Sequence, residues 1–221
     1  MSLQHLKIAS QKVLITAGPT REPIDPVRYI SNFSTGKMGI ALAEECLSRG
    51  ASVTLVKGPT QAYGISPAIS VVEVVSAADM YTACTQYFAA SDVIIFAAAV
   101  ADYTPKHPAT SKIKKQEGEF TLELVKTKDI AYELGRGKRE GQVCVGFALE
   151  TDNELANAQS KLEKKNLDMI VLNSLKDAGA GFQHDTNKVT IVDKKGNVVT
   201  FDLKAKSDVA SDILDYIETQ L

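Results

Sequence analysis

The stretch Val13-Leu14-Ile15-Thr16-Ala17-Gly18-Pro19-Thr20-Arg21-Glu22-Pro23-Ile24-Asp25-Pro26-Val27-Arg28-Tyr29-Ile30-Ser31-Asn32-Phe33-Ser34-Thr35-Gly36-Lys37-Met38-Gly39 reads as three pieces in succession. A short apolar run makes a buried strand, a long polar loop follows, and a glycine-flanked turn opens a helix. Pro19, Pro23 and Pro26 stiffen the loop, while Arg21, Arg28, Asn32 and the Ser34-Thr35-Gly36-Lys37 turn load it with hydrogen-bond donors. Structureless loops of this length are uncommon in compact domains unless they are functional or disordered. The prolines and the helix start argue for order, so the loop predicts a site for an anionic substrate. A structural crossover is the plainer alternative.

Working outward, apolar runs at 53–57, 71–75, 93–97, 143–147 and 169–173 read as further buried strands. Helical patterns lie between them: 37–49, stopped by Gly50; 77–89, behind the N-cap Ser76; 129–134; and 154–165, opened by Thr151-Asp152-Asn153. This alternation specifies a Rossmann-like, doubly wound, mostly parallel sheet with helices on both faces. Two departures interrupt it. Residues 98–119 are proline- and lysine-rich without periodicity and precede an alternating strand at 120–125. Strands at 188–192 and 198–203 flank Asp193-Lys194-Lys195-Gly196-Asn197, a hairpin signal, ahead of a closing amphipathic helix at 207–219. The expected organisation is one domain over 1–221, with a lysine-bearing flap at about 103–119 and a C-terminal β-hairpin at about 188–203.

Composition narrows the function classes. Of 221 residues, 44% are hydrophobic, enough for a sizeable core, and no apolar run reaches membrane-helix length. The start, Met1-Ser2-Leu3-Gln4-His5, has no signal-peptide profile, so a cytoplasmic protein is expected. A net charge of −2 supplies no basic excess for a nucleic-acid backbone. Cys46, Cys84 and Cys144 are widely spaced and read as buried thiols, and the three histidines show no metal-ligand spacing.

Familiar nucleotide signatures fail. In the phosphate-loop pattern, Gly36-Lys37 would need Ser or Thr next, but Met38 follows, and Ser31 stands where its first glycine belongs. No G-x-G-x-x-G follows the first strand, and Gly135-Arg136-Gly137 with Gly141 follows a helix pattern, as a surface turn would. No tyrosine has a lysine four residues on. What remains is chemical. Ser34-Thr35-Gly36-Lys37-Met38-Gly39 presents free N–H groups and a helix dipole to an anion. Phe96-Ala97-Ala98-Ala99-Val100-Ala101-Asp102-Tyr103 leaves room for a flat ring at a strand's carboxyl end. There Asp102 could hold ribose hydroxyls, base amino groups or a metal, or merely cap a turn. In Lys112-Ile113-Lys114-Lys115, alternation puts Lys112 and Lys114 on one side of an extended segment, suited to a triphosphate. Lys161 and Lys165 are one helical turn apart, so both can point at the same anion, though a solvated helix face would show the same spacing.

Together these segments, with Val145-Gly146-Phe147-Ala148-Leu149-Glu150-Thr151 and Asn166-Leu167-Asp168 followed by Asn173, resemble phosphopantothenoylcysteine synthetase from about Lys12 to the C-terminus. The resemblance implies a ligase that joins 4'-phosphopantothenate to L-cysteine in coenzyme A biosynthesis. Bacterial members use CTP with Mg2+ and pass through an acyl-cytidylate. It implies catalytic roles for Asn32, at the acyl-cytidylate, and Lys112, on the triphosphate. Arg28 falls among the substrate residues as a conformational or contact residue of its loop, with Ser34, Thr35, Gly36, Lys37 and Ala99. The resemblance sets Ser34-Thr35-Gly36-Lys37 near the substrate phosphate or its neighbourhood. Nucleotide contacts fall to Phe96, Ala97, Ala98, Asp102, Phe147, Lys161, Lys165 and the turn Lys128-Asp129-Ile130-Ala131, where proline usually stands at Lys128. No metal ligands are assigned. The resemblance also implies a homodimer and a fused or separate FMN-dependent decarboxylase. Either the chain is monofunctional or it is the C-terminal half of a bifunctional protein, with Met1-Ser2-Leu3 then an expression remnant.

Two rival readings make different demands. A nicotinamide-dependent reductase would need the absent glycine fingerprint. A non-catalytic nucleotide-binding module would bind CTP and release no pyrophosphate.

Overall fold

The computed structural model describes residues 7–60, 64–115, 117–150, 152–174 and 184–221, with the Ser174 side chain excepted. Thr151 and Met1-Ser2-Leu3, both named in the sequence reading, lie outside these residues. The first half of the chain runs β1 (Lys12–Ala17), β2 (Arg21–Pro23), β3 (Tyr29–Ser31), α1 (Lys37–Ser48), β4 (Ser52–Lys57), β5 (Ser70–Glu73), α2 (Ala77–Phe88), β6 (Val93–Phe96) and β7 (Tyr103–Pro105). It continues β8 (Leu124–Lys126), α3 (Ile130–Arg136), β9 (Val143–Glu150), α4 (Glu154–Lys164) and β10 (Met169–Ser174). β11 (Thr186–Asn187), β12 (Val189–Asp193), β13 (Val198–Thr200), β14 (Lys204–Ala205) and α5 (Lys206–Glu218) complete it.

Eight strands form the main sheet in the order β13-β12-β10-β9-β6-β1-β4-β5. From β5 to β10 every pairing is parallel, and β12 and β13 add antiparallel at one edge. The six parallel strands, counted in chain order, lie 3-2-1-4-5-6, the doubly wound arrangement the β–α alternation predicts. The central runs of β1, β6, β9 and β10 are buried on both sides, which is why they read as unbroken apolar stretches. The run at 71–75, expected to be buried, instead forms the exposed edge strand β5 over Ser70–Glu73. Alternate side chains serve two cores. Val13, Ile15 and Ala17 pack with α1 and α5 on one face, while Leu14, Ile94 and Cys144 pack with α2, α3 and α4 on the other.

Local signals set the helix ends. Ser76 and Asp79 form a reciprocal capping box, Asp79 N donating to Ser76 Oγ (3.1 Å) and Ser76 N to Asp79 Oδ2 (2.9 Å). At α1, Gly36 is the N-cap with φ +75°, and a side chain there would come within 3.1 Å of Gly18 Cα. Gly39, one turn into the helix, lies so close to β1 that a Cβ would stand 2.6 Å from Ala17 Cβ.

Three strand readings need correction. The loop at 18–36 is no bare loop, because β2 and β3 pair antiparallel within it. Three-residue strands interrupted by proline carry too little alternation to be seen in sequence. The alternating run at 120–125 forms a strand only at Leu124–Lys126, where it pairs with β7 and stays outside the main sheet. The second hairpin strand ends at Thr200. Buried Asp168 ties the amino edge of the sheet, accepting from Cys144 N (2.7 Å), Lys138 Nζ (3.0 Å) and the half-exposed Lys194 Nζ (2.5 Å).

Candidate active site

In an open parallel sheet the crevice lies beyond the carboxyl ends of the strands, where the winding reverses. Here that point falls between β1 and β6, and the chain beyond both strands is pinned together. Pro19 bridges to Ala99, Ala99 N donates to Gly18 O (2.9 Å), and Ala98 N donates to Thr16 Oγ1 (3.1 Å). Ala101 N donates to Thr20 Oγ1 (3.0 Å), and Thr127 Oγ1 donates to Ala101 O (2.6 Å). Thr16 and Thr20 are buried, so their hydroxyls replace ladder partners where the strands end. The run Ala97-Ala98-Ala99 thereby becomes a rigid shelf of small side chains beside Phe96.

A cleft of about 730 Å³ opens over this shelf. It is lined by Asn32, Ser34, Thr35, Gly36, Lys37, Phe96, Ala97, Ala98, Ala99, Asp102, Lys128, Asp129, Ile130, Ala131, Phe147, Lys161 and Lys165. The tertiary structure thus gathers every expected site residue except Arg28 and Lys112. Lys126, Thr127, Asn173, Asn187 and Lys206 line it too; the sequence reading assigned them no site role. Lys126 falls just after the strand expected at 120–125. Lys206 falls just before the predicted closing helix, and nothing in its neighbours flags it. Although the chain carries net charge −2, six lysines and only two aspartates line the cleft. Its polarity is opposite to that of the whole molecule, as an anion-binding crevice requires.

The lysines stand in two banks. Lys37 and Lys206 belong to α1 and α5, on one face of the sheet. Lys161 and Lys165 belong to α4 and its C-cap, and Lys126 and Lys128 precede α3, on the other face. Lys161 is held by Glu150 at 2.5 Å, Lys165 by Asp129 at 2.9 Å, and Lys37 by Asp185 at 2.5 Å. Lys161 and Lys165 thus rest on separate carboxylates, Glu150 and Asp129. Lys128 sits 4.3 Å above the Tyr81 ring. At the head of α1 no acidic residue occupies the first turn and no side chain caps the helix, so its N–H groups face the cleft beside Lys37.

Asn32 holds the shelf from the hairpin side. Its Nδ2 donates to the carbonyls of Ala99 (3.0 Å) and Val100 (3.1 Å), so both amide hydrogens are engaged with backbone.

Arg28 does not line the cleft. Buried Asp25 captures its guanidinium, with Nε at 3.1 Å and the terminal nitrogen at 2.5 Å. The same carboxylate accepts from Ile113 N (3.1 Å), and Arg28 donates to Ile113 O (3.0 Å). Arg28 and the neighbouring backbone N–H groups hold the Asp25 carboxyl well below the usual carboxylate range. Hairpin and flap are thus latched at Ile113. Lys112 is exposed beside the latch, outside the cleft lining.

Comparison with known proteins agrees with this geometry. The family model described as the DNA/pantothenate metabolism flavoprotein C-terminal domain matches residues 8–221. A relative of unknown prokaryotic origin, named cysteine/cysteine sulfinic acid decarboxylase, is 56% identical over 209 residues, covering 95% of this chain and 58% of the relative. The coenzyme A biosynthesis bifunctional protein CoaBC of Bacillus subtilis (strain 168) is 49% identical over 210 residues, covering 95% of this chain and 52% of the relative. The chain spans about half the length of these curated relatives. Among solved structures, the C-terminal domain of a coenzyme A biosynthesis bifunctional protein CoaBC superposes with TM-score 0.82 at 43% identity, covering 97% of both chains. The DNA/pantothenate metabolism flavoprotein from Streptococcus pneumoniae gives TM-score 0.81 at 26% identity, covering 96% of this chain and 100% of that one.

Proposed function

Because the chain belongs to the DNA/pantothenate metabolism flavoprotein C-terminal domain family, we propose that it is a phosphopantothenate–cysteine ligase that uses CTP. The observation that carries this reading is one cleft, cationic on both faces of the sheet edge, with a shelf of small residues between the banks. Such a crevice suits two anionic reactants brought head to head. In the first step a carboxylate oxygen of 4'-phosphopantothenate attacks the α-phosphorus of CTP, and pyrophosphate leaves. In the second, the cysteine amine attacks the acyl carbon, loses a proton, and CMP leaves as the amide forms.

The protein's part is alignment and charge stabilisation. Ala97, Ala98 and Ala99 leave space for the flat base, with Phe96 and Phe147 beside it and Asp102 in reach of ribose or base. Lys161, Lys165 and the turn at 128–131 receive the nucleotide's charge. Lys112, carried by the flap, adds its charge at the α-phosphate. Asn32 fixes the shelf and offers an amide hydrogen to the reacting carbonyl oxygen by giving up one backbone partner.

Among the described residues no group of three or more His, Cys, Asp or Glu side chains is placed to hold a metal. Magnesium commonly needs only one or two carboxylates besides the phosphates. Asp102 and Asp129 fit that demand, and the ion would shield the triphosphate charge. We extend the proposal to a homodimer, working with an FMN-dependent decarboxylase that is either fused or separate.

The test is to incubate the protein with magnesium, 4'-phosphopantothenate, cysteine and either CTP or ATP, and to weigh the products. CMP, pyrophosphate and the cysteinyl amide from CTP are expected. Product from ATP alone would overturn the nucleotide assignment, and no product with either nucleotide would overturn the ligase.

A further inference from the structure

Lys206 is the first residue of α5, and only 7% of its surface is exposed. It nevertheless lines the cleft. Its ammonium donates to the carbonyl of His184, at the entry to β11. Two features make this an unfavourable place for a lysine. Burial, and the nearby charge of Lys37, pull its pKa below the usual lysine range, against the opposing charge of Asp185. A cation at a helix N-terminus also opposes the helix dipole. Asp185 is already the partner of Lys37 and is 85% exposed, so it neutralises this bank weakly.

The position is nonetheless firmly built. Arg49, the C-cap of α1, binds Asp215 (2.7 Å) and the Ser211 carbonyl (3.1 Å) on α5, locking the two helices together. β14, just before Lys206, pairs with β11. Buried Asn187 of β11 donates to Asn173 at the end of β10 (3.3 Å), and both asparagines line the cleft. A fold that rigidly holds two ammonium groups and two amides beside an uncapped helix start leaves positive potential that an incoming anion would neutralise.

We propose that Lys206 is a substrate-binding residue: it joins Lys37 and the turn Ser34-Thr35-Gly36, which the resemblance already sets near the substrate phosphate, in a subsite for the phosphate monoester of the acid substrate. The opposite bank is left to the nucleotide. This rests on the ligase reading for the identity of the acid, but not for the existence of the subsite. Selectivity for a phosphorylated acid over its free alcohol then resides at α5, far in sequence from the loop after β1.

The experiment is calorimetric titration of the full chain with 4'-phosphopantothenate, unphosphorylated pantothenate and CTP, for wild type, Lys206→Met and Lys206→Arg. Wild type should bind the phosphorylated acid more tightly than pantothenate. Lys206→Met should erase most of that difference, a loss of about 10–100-fold as for a charged hydrogen bond, and leave CTP binding unchanged. Lys206→Arg should keep part of the preference, which separates lost charge from lost folding. The subsite is overturned if Lys206→Met weakens both acids equally, if it leaves the phosphorylated acid untouched, or if folded wild type does not discriminate. Wild type that binds the phosphorylated acid selectively, yet forms no amide with cysteine and either nucleotide, would sustain the subsite and sink the ligase.

Discussion

Gly39→Ala probes the joint between helix α1 and strand β1, on which one bank of the cleft depends. The added methyl would lie 2.6 Å from Ala17 Cβ, 3.0 Å from Ala17 Cα and 3.1 Å from Thr16 O. Carbon atoms pack best at about 3.5–4.0 Å, so the helix must retreat by roughly 1 Å. Alanine adds about 1 kcal/mol of helix propensity over glycine, while overpacking costs about 1–3 kcal/mol. Two of the three obstructions are backbone atoms with no rotamer to yield, which favours the upper part of that range. A net loss of about 1–2 kcal/mol follows, or a Tm lower by about 2–8 °C in a chain of this size. Thermal unfolding followed by circular dichroism measures it. The same retreat moves Gly36 and Lys37, so binding of the phosphorylated acid should weaken more than binding of CTP. Ala17→Gly removes the closest contact but leaves the carbonyl, so the double variant should recover only part of the loss. An unchanged or raised Tm with unchanged acid binding would refute the close seating. Strict additivity of the two substitutions would refute the direct contact.

Two further predictions concern opposite ends of the molecule. Lys112→Gln should leave stability within about 0.5 kcal/mol, since the side chain is exposed. It should also slow pyrophosphate release by about 10²–10³-fold, the scale of a lost charge-stabilising donor; an effect below about tenfold would make Lys112 peripheral. At the amino edge, burial alone would raise the Asp168 carboxyl, but Lys194, the Cys144 N–H and Lys138 outweigh it and hold its pKa below the ordinary carboxylate value of 3.8. Stability from this group is therefore complete above that value and disappears as pH falls through the lowered folded pKa. Asp168→Asn should cost about 3 kcal/mol at neutral pH by stranding Lys138. It should also flatten the acid limb of the stability curve in urea titrations. An acid limb identical to wild type would remove Asp168 from that role.

Much of the architecture was legible because its signals are local. An apolar run such as 13–17, a cap such as Ser76 with Asp79, or the small-residue run 97–99 depends on residues within a turn or two, and the helices and central strands stand where those patterns put them. The same locality hid the β2–β3 hairpin, whose strands are too short to show a period.

By itself the sequence determined the alternation of strands and helices, and with it a covered parallel sheet. It also determined the polar loop, the glycine-flanked helix start and the small-residue run, because backbone freedom, periodicity and side-chain chemistry are properties of neighbours. Only the tertiary structure decided the strand order that puts β1 beside β6. It also gave Arg28 to Asp25 and Ile113 rather than to the cleft. It made Asp168, which the sequence offered only as part of a segment carrying the resemblance, a tie of the sheet's amino edge. And it brought Lys206 to the crevice beside Lys37, from which it is separated by most of the chain. These outcomes turn on competition for burial and charge between distant segments, which no local pattern records.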